Sequence, residues 1–172
     1  MSAPAFSVWV TGPDQGAVEA IAEELARRLA ARRMAVEVLD RRTPGIDALA
    51  GEELERRAAF VAGLLARHGV AVVVALPVAA RAARERVRGE LGRMIEVYAR
   101  PTREAAGTTY EPPERPEVEI AVPESSPGTG VEQALHTLEV LELLPRAEER
   151  AYSEEEEEER EIIRRLKAFG YL

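Results

Sequence analysis

Residues 70–76 read Val-Ala-Val-Val-Val-Ala-Leu, an unbroken apolar run closed by Pro77. A strand with one wet face alternates polar and apolar side chains. A run without alternation marks a strand covered on both faces, as in a parallel sheet. Parallel strands need crossover helices, and the chain supplies them in alternation. Residues 6–11 read as a strand ending at Gly12-Pro13. Asp14 can cap the helix that follows, where Ile21, Leu25 and Leu29 set an apolar stripe to about Arg33. Residues 35–39 form a second strand closed by Asp40, and Thr43-Pro44-Gly45 is a turn. Residues 52–68 are helical, with Leu54, Ala58, Val61 and Leu65 on one face and Gly69 as a C-terminal cap. Residues 79–91 make a basic helix and 94–98 a fourth strand. The texture then changes. Residues 100–116 hold four prolines and read as a loop. Residues 118–122 are a short strand and 123–130 a second loop. Residues 131–144 are a helix carrying Val131, Leu135, Leu138 and Leu141, stopped by Pro145. Right-handed crossovers then predict a three-layer α/β/α domain over residues 1–145, with about five parallel strands and the 70–76 strand central.

Composition removes several function classes. Net charge is −8, which disfavours nucleic acid, because phosphate contacts need a basic face. There is no cysteine, so thiol catalysis, disulfides and zinc–thiolate sites are out. No apolar run approaches the roughly 18 residues of a membrane span, and residues 1–6 do not read as a signal peptide. A soluble cytoplasmic protein is expected. Lys167 is the only lysine, so the body of the fold has none for phosphate binding.

The first strand and helix meet in Val8-Trp9-Val10-Thr11-Gly12-Pro13-Asp14-Gln15-Gly16-Ala17-Val18-Glu19. Strand, tight turn and helix start is the layout in which nucleotide kinases hold a phosphate. The working loop is G-x-x-x-x-G-K-[ST], its backbone N–H groups facing the phosphates and its lysine reaching the terminal ones. Counted from Gly12, the second glycine falls at Ala17, the lysine at Val18 and the hydroxyl at Glu19. Gly12 and Gly16 remain as the candidate cofactor-binding positions. Asp14 and Glu19 read either as a cap and a first-turn carboxylate or as an altered cation site.

Several stretches together resemble adenylylsulfate kinase, over roughly residues 6–142. They are Val8-Trp9-Val10-Thr11-Gly12, Val38-Leu39-Asp40, Arg56-Arg57 before Phe60-Val61-Ala62, and Ala75-Leu76-Pro77 with Arg84-Glu85-Arg86-Val87-Arg88. Ile95-Glu96-Val97-Tyr98 and Tyr110-Glu111-Pro112-Pro113-Glu114-Arg115-Pro116-Glu117-Val118 complete the set. The resemblance implies the phosphate-loop nucleotide kinase fold. It also implies transfer of the ATP γ-phosphate to the 3′-hydroxyl of adenylylsulfate, with magnesium, in sulfate assimilation.

The departures fall where that chemistry would sit. Val18 and Glu19 replace the lysine and the magnesium-binding hydroxyl. The Asp-Gly-Asp run of the family keeps only Asp40, followed by Arg41 and Arg42. Leu54 stands for an asparagine that grips adenylylsulfate. The Ser-Pro-Tyr-Arg run reads Leu76-Pro77-Val78-Ala79, with Arg81 a displaced stand-in for its arginine. Residues 99–109 are too short for the family's basic lid. Asp40 is left as a candidate catalytic base at a strand's carboxyl end, and Arg56 and Arg57 as candidate substrate-binding residues. His68 and His136 have no clustered partner, so no metal is expected. No cofactor is expected either, ATP and magnesium being called for only if the family activity persists.

Residues 146–172 form an acidic linker and a C-terminal amphipathic helix. Six glutamates precede Arg160, Ser153 and Glu156 fit a capping box, and Ile162, Leu166 and Phe169 fall on one helical face. Those three are expected to be buried against protein, either the chain's own body or a partner. Two functional expectations follow. The first is a catalytically inactive kinase-like domain that binds or assembles, with a protein partner or self-association through the tail. The second is a divergent nucleotide-binding enzyme or sensor that still holds adenylylsulfate or a relative.

Overall fold

The computed structural model describes residues 6–102, 109–122, 127–144, 158–159 and 161–165. Five strands and four helices follow one another as β1 (Ser7–Thr11), α1 (Gln15–Ala31), β2 (Val36–Leu39), α2 (Gly51–Arg67), β3 (Ala71–Val74), α3 (Arg81–Leu91), β4 (Met94–Pro101), β5 (Val118–Val122) and α4 (Pro127–Val140). The strands form one sheet in the order β2-β3-β1-β4-β5, and every pairing is parallel. This is the three-layer arrangement that the apolar run demanded. β3 is an interior strand with β2 and β1 on either side; the middle of the sheet is β1.

Two apolar clusters cover the two faces. Ala71 and Val73 of β3 join Val18, Ile21, Leu25 and Leu29 of α1, with Val131 and Leu135 of α4. Val72 and Val74 turn the other way, onto Leu54, Ala58 and Ala62 of α2 and Val87 of α3. Alternate residues of one strand thus feed opposite cores, which is why alternation is absent from residues 70–76. Trp9 of β1 is 1% exposed, and among the described residues its indole N–H is the buried side-chain group without a hydrogen-bond partner.

Local chemistry sets the boundaries. Asp14 caps α1, its Oδ1 accepting from the Ala17 N–H at 3.2 Å. α2 closes at His68, and Gly69 takes the left-handed conformation beyond it with φ +79°. Several boundaries differ from expectation. β4 runs on to Pro101, so the loop begins later than residue 100. The loop expected over 123–130 ends early, because α4 starts at Pro127. Proline is tolerated in the first turn of a helix, where its missing N–H would have no intrahelical partner. Gly130 belongs to that helix for packing reasons. A Cβ there would meet Ile120 Cγ2 at 2.4 Å, so only glycine lets α4 lie this close to β5. α4 also ends at Val140, leaving Leu141 45% exposed rather than on the buried stripe.

Ile162 is 57% exposed, which corrects the expectation that it is buried. Nothing on the described body covers it; among the described residues the neighbouring Arg164 and Arg165 pair with Glu161, within the same helical stretch. Leu166, Phe169 and the Ser153–Glu156 capping box lie outside the described residues. Among the described residues no helix is long and apolar enough to cross a membrane.

Candidate functional site

In an open parallel sheet, ligands bind beyond the carboxyl ends of strands where neighbouring connections leave to opposite faces. Here that place lies between β1 and β3. The β1 connection leads into α1 on one face and the β3 connection into α3 on the other.

Three residues, Gly12, Pro13 and Asp14, join β1 to α1. Gly12 sits against β4: a Cβ would meet the Ala99 carbonyl oxygen at 2.7 Å and Val18 Cγ2 at 3.3 Å. The glycine is therefore required by packing alone. Gly16 lies inside the first turn of α1, and a Cβ there would meet nothing closer than Asp14 Oδ1 at 3.3 Å. Helix N-termini attract anions because their first N–H groups lack partners. At this terminus the protein supplies the anion itself, through Asp14.

Val18 is 1% exposed and belongs to the apolar cluster beneath α1. Gln15 donates from Nε2 to Glu19 Oε1 at 3.0 Å and to the Ala75 carbonyl at 2.9 Å. One side chain thus spans the crevice from the start of α1 to the residues just past β3, and holds Glu19 as it does so. Nothing in the sequence around residue 15 signals a partner sixty residues away.

Asp40 is 6% exposed at the end of β2. Its Oδ1 accepts from the Arg42 N–H at 2.7 Å and its Oδ2 from Arg42 Nε at 2.8 Å. Burial pushes the carboxyl up, but the Arg42 bonds outweigh it and hold the group below the ordinary aspartate range. A carboxylate clamped in this way is a poor proton acceptor. The clamp is an Asx turn, in which the side chain bonds the backbone two residues on, and Asp40-Arg41-Arg42 carried that signal.

Arg56 and Arg57 lie exposed on α2. Leu54 is 2% exposed and faces the core, so it presents no group to a ligand. Arg81 is committed to the segment after β4: its N–H donates to Glu111 Oε2 at 2.8 Å, its Nε to the Pro112 carbonyl at 3.0 Å, and it pairs with Glu114. His68 bonds the Leu64 carbonyl through Nδ1 at 2.8 Å, and His136 is exposed on α4. Among the described residues no three His, Asp or Glu side chains converge on one point.

The segment over residues 109–117 crosses the carboxyl end of the sheet. Tyr110 stacks on Tyr98 with ring centroids 6.0 Å apart, has the Arg84 guanidinium 4.9 Å from its own centroid, and donates its hydroxyl to Thr11 Oγ1 at 2.9 Å. Arg84, 1% exposed, donates to Glu96 Oε1 at 2.7 Å and to the carbonyls of Val78, Ala79 and Glu111. Glu96, 2% exposed, also takes Arg88 at 3.2 Å, and Arg88 pairs with Glu117 at 2.6 Å. This network ties β4, the exit of β3 and the crossing segment together. A glutamate inside an apolar strand, followed in sequence from a basic helix, was the available signal for it.

Burial pushes the Tyr110 hydroxyl up to about 12, against a smaller downward pull from its bond to Thr11. The folded state therefore resists ionisation that the unfolded chain undergoes near the ordinary tyrosine value of about 10. Stability from this residue is complete below about pH 10 and is lost as pH rises toward about 12. Tyr110→Phe should flatten the fall in urea midpoint over that window, while costing some stability at pH 7. An unchanged alkaline slope in the variant would remove Tyr110 from this role.

The sheet order and the strand–turn–helix at the switch point define a protein of the phosphate-loop nucleotide kinase fold. The adenylylsulphate kinase family model matches residues 4–109. The probable adenylyl-sulfate kinase of Pyrococcus abyssi is 31% identical over 171 aligned positions, spanning 81% of this chain and 98% of that protein. The adenylyl-sulfate kinase of Gloeothece citriformis is 31% identical over 166 positions, spanning 78% and 94%. The hexameric APS kinase from Thiobacillus denitrificans superposes with a TM-score of 0.71 at 26% identity, over 83% of this chain and 30% of that longer one. The chain belongs to the adenylylsulfate kinase family.

Proposed function

We propose that this chain is a member of the family that no longer transfers phosphate and instead serves as a binding or assembly module, linked to sulfate activation and working in the cytoplasm. The observation that carries the reading is the first turn of α1. Val18 is packed in the core where the phosphate-binding lysine would stand, and Gln15, which also holds Glu19, bridges the crevice to Ala75. Phosphoryl transfer depends on positioning and on positive charge around the moving phosphoryl group. The turn carries the carboxylates of Asp14 and Glu19, while Arg42 is paired with Asp40 and Arg81 with the crossing segment. A domain boundary near residue 145, with the tail as the assembly element, belongs to the same reading. The hexameric state of the Thiobacillus denitrificans relative is in keeping with it.

The test is calorimetric titration with ATP–magnesium and with adenylylsulfate, alongside a coupled kinase assay. The expected outcome is no turnover and no ATP affinity below the millimolar range. Micromolar ATP binding, or turnover abolished by Asp40→Ala, would overturn the proposal. A second reading is favoured by one observation: Arg56 and Arg57 are exposed on α2 and without described partners. Adenylylsulfate binding without ATP binding, weakened by Arg56→Ala or Arg57→Ala, would make the chain a nucleotide sensor.

A further inference from the structure

Helix α2 buries one side and leaves the other bare. Leu54, Ala58 and Ala62 face the core. On the opposite side, Glu53, Arg56, Arg57, Phe60, Leu64 and Arg67 follow one another at helical spacing, and all six are exposed. Phe60, 63% exposed, sits at the centre of this stripe, with Leu64 one turn on at 38%. Glu53 lies seven positions before Phe60 and Arg67 seven positions after it, two turns away on the same line.

That order is self-complementary about Phe60. Set a second α2 antiparallel on the first, with the two phenylalanines facing each other. Glu53 of each copy then lies opposite Arg67 of the other, so acid meets base at both ends of the contact. Leu64 of each copy meets the stems of Arg56 and Arg57 of the other, whose charged heads can still reach water. Other registers fail on charge. A parallel pair would set Glu53 against Glu53 and Arg67 against Arg67. An antiparallel pair centred between Phe60 and Leu64 would set Arg57 against Arg67.

We propose that two copies of this chain pair through α2, antiparallel and centred on Phe60. The partner is a second copy because the same stripe supplies both halves of the match, which is the requirement of a two-fold interface. One helix face per copy is a small contact, so the dimer is a weak one that forms at high protein concentration. The inference rests on the assembly reading and adds to it a surface on the body of the fold, separate from the tail.

Sedimentation equilibrium of the full chain, over a range of concentrations, should show a monomer–dimer equilibrium. Phe60→Asp should abolish the dimer while leaving the melt of the dilute monomer little changed, because the side chain is exposed. Glu53→Arg and Arg67→Glu should each weaken self-association on the order of tenfold, since each turns both end pairs into like charges. Mixing those two variants should bring association back, because the mixed pair again sets acid opposite base at both ends. The double variant Glu53→Arg with Arg67→Glu should likewise pair with itself. Ile162→Asp should leave the dimer intact. A chain that stays monomeric at high concentration overturns the proposal and leaves the face to a different protein. A dimer indifferent to Phe60→Asp overturns it too, and loss of the dimer with Ile162→Asp would move the contact to the tail. Two charge variants that fail to recover on mixing would overturn the register. None of these measurements uses nucleotide, so a monomer would leave the absence of phosphoryl transfer standing, and ATP binding would leave the dimer standing.

Discussion

Arg84→Ala is expected to remove about 3–5 kcal/mol of stability, the cost of leaving a buried carboxylate without its main partner. A domain of this size has about 5–15 kcal/mol in total, so the loss is a large fraction. It should appear as a fall in Tm of roughly 10 °C or more. Glu96 would keep only Arg88 at 3.2 Å, in a position 2% exposed. The carbonyls of Val78, Ala79 and Glu111 would lose their donor as well. Buried ion pairs are often replaceable by apolar residues at little cost, so Arg84→Met with Glu96→Leu separates two explanations. If the charge pair is the whole effect, the double variant should recover most of the loss. If the three carbonyls matter, it should recover only part, and that is the expected result. A loss under about 1 kcal/mol for Arg84→Ala would mean that water reaches the pair and takes the place of the guanidinium. The same arginine fastens the exit of β3 and the 109–117 segment to β4.

The fold was legible because its strongest constraint is local. Burial of residues 71–74 on both faces erased their alternation, as expected of a strand inside a parallel sheet with helices on both sides. Helix α1 was readable from the Asp14 cap and the stripe at Ile21, Leu25 and Leu29, all of which the structure places as expected. The start of α4 was missed because Pro127, Gly128 and Gly130 look like breakers. The reason they are tolerated lies elsewhere: Gly130 answers to the bulk of Ile120, on a strand that local sequence does not bring near. The family was legible in short stretches spread over the chain, several of which proved to be the residues of one network. Tyr110, Arg84 and Glu96 are far apart in sequence and touch in space. The site was legible only in its substitutions. Val18 and Glu19 could be read as losses, but not that Gln15 reaches Ala75, nor that Arg42 closes on Asp40. Those contacts depend on where β3 and the turn after β2 end relative to α1, which is a property of the assembled sheet.

Val18→Lys should destabilise the chain, by of order 3 kcal/mol, and should not restore nucleotide binding. The position is 1% exposed and lies among Val10, Val97 and Ala99, with no carboxylate in that cluster to receive an ammonium. Burial would hold the new lysine toward its neutral form, which a phosphate does not attract. Its long stem could instead carry the charge toward the mouth of the turn. That route is narrow, since Gly12 already stands within 3.3 Å of a Val18 methyl once a Cβ is placed on it. Glu19→Ser added to the lysine removes one carboxylate and releases Gln15 from it, yet leaves Asp14 on the helix terminus and Gln15 on Ala75. The double variant is therefore expected to melt below the parent and to show no turnover with ATP–magnesium and adenylylsulfate. Should it bind ATP at micromolar concentration, the crevice would be a preserved phosphate site lacking only two side chains. The bridge from Gln15 to Ala75 would then be a contact that a ligand readily displaces, and the assembly reading would lose its principal support.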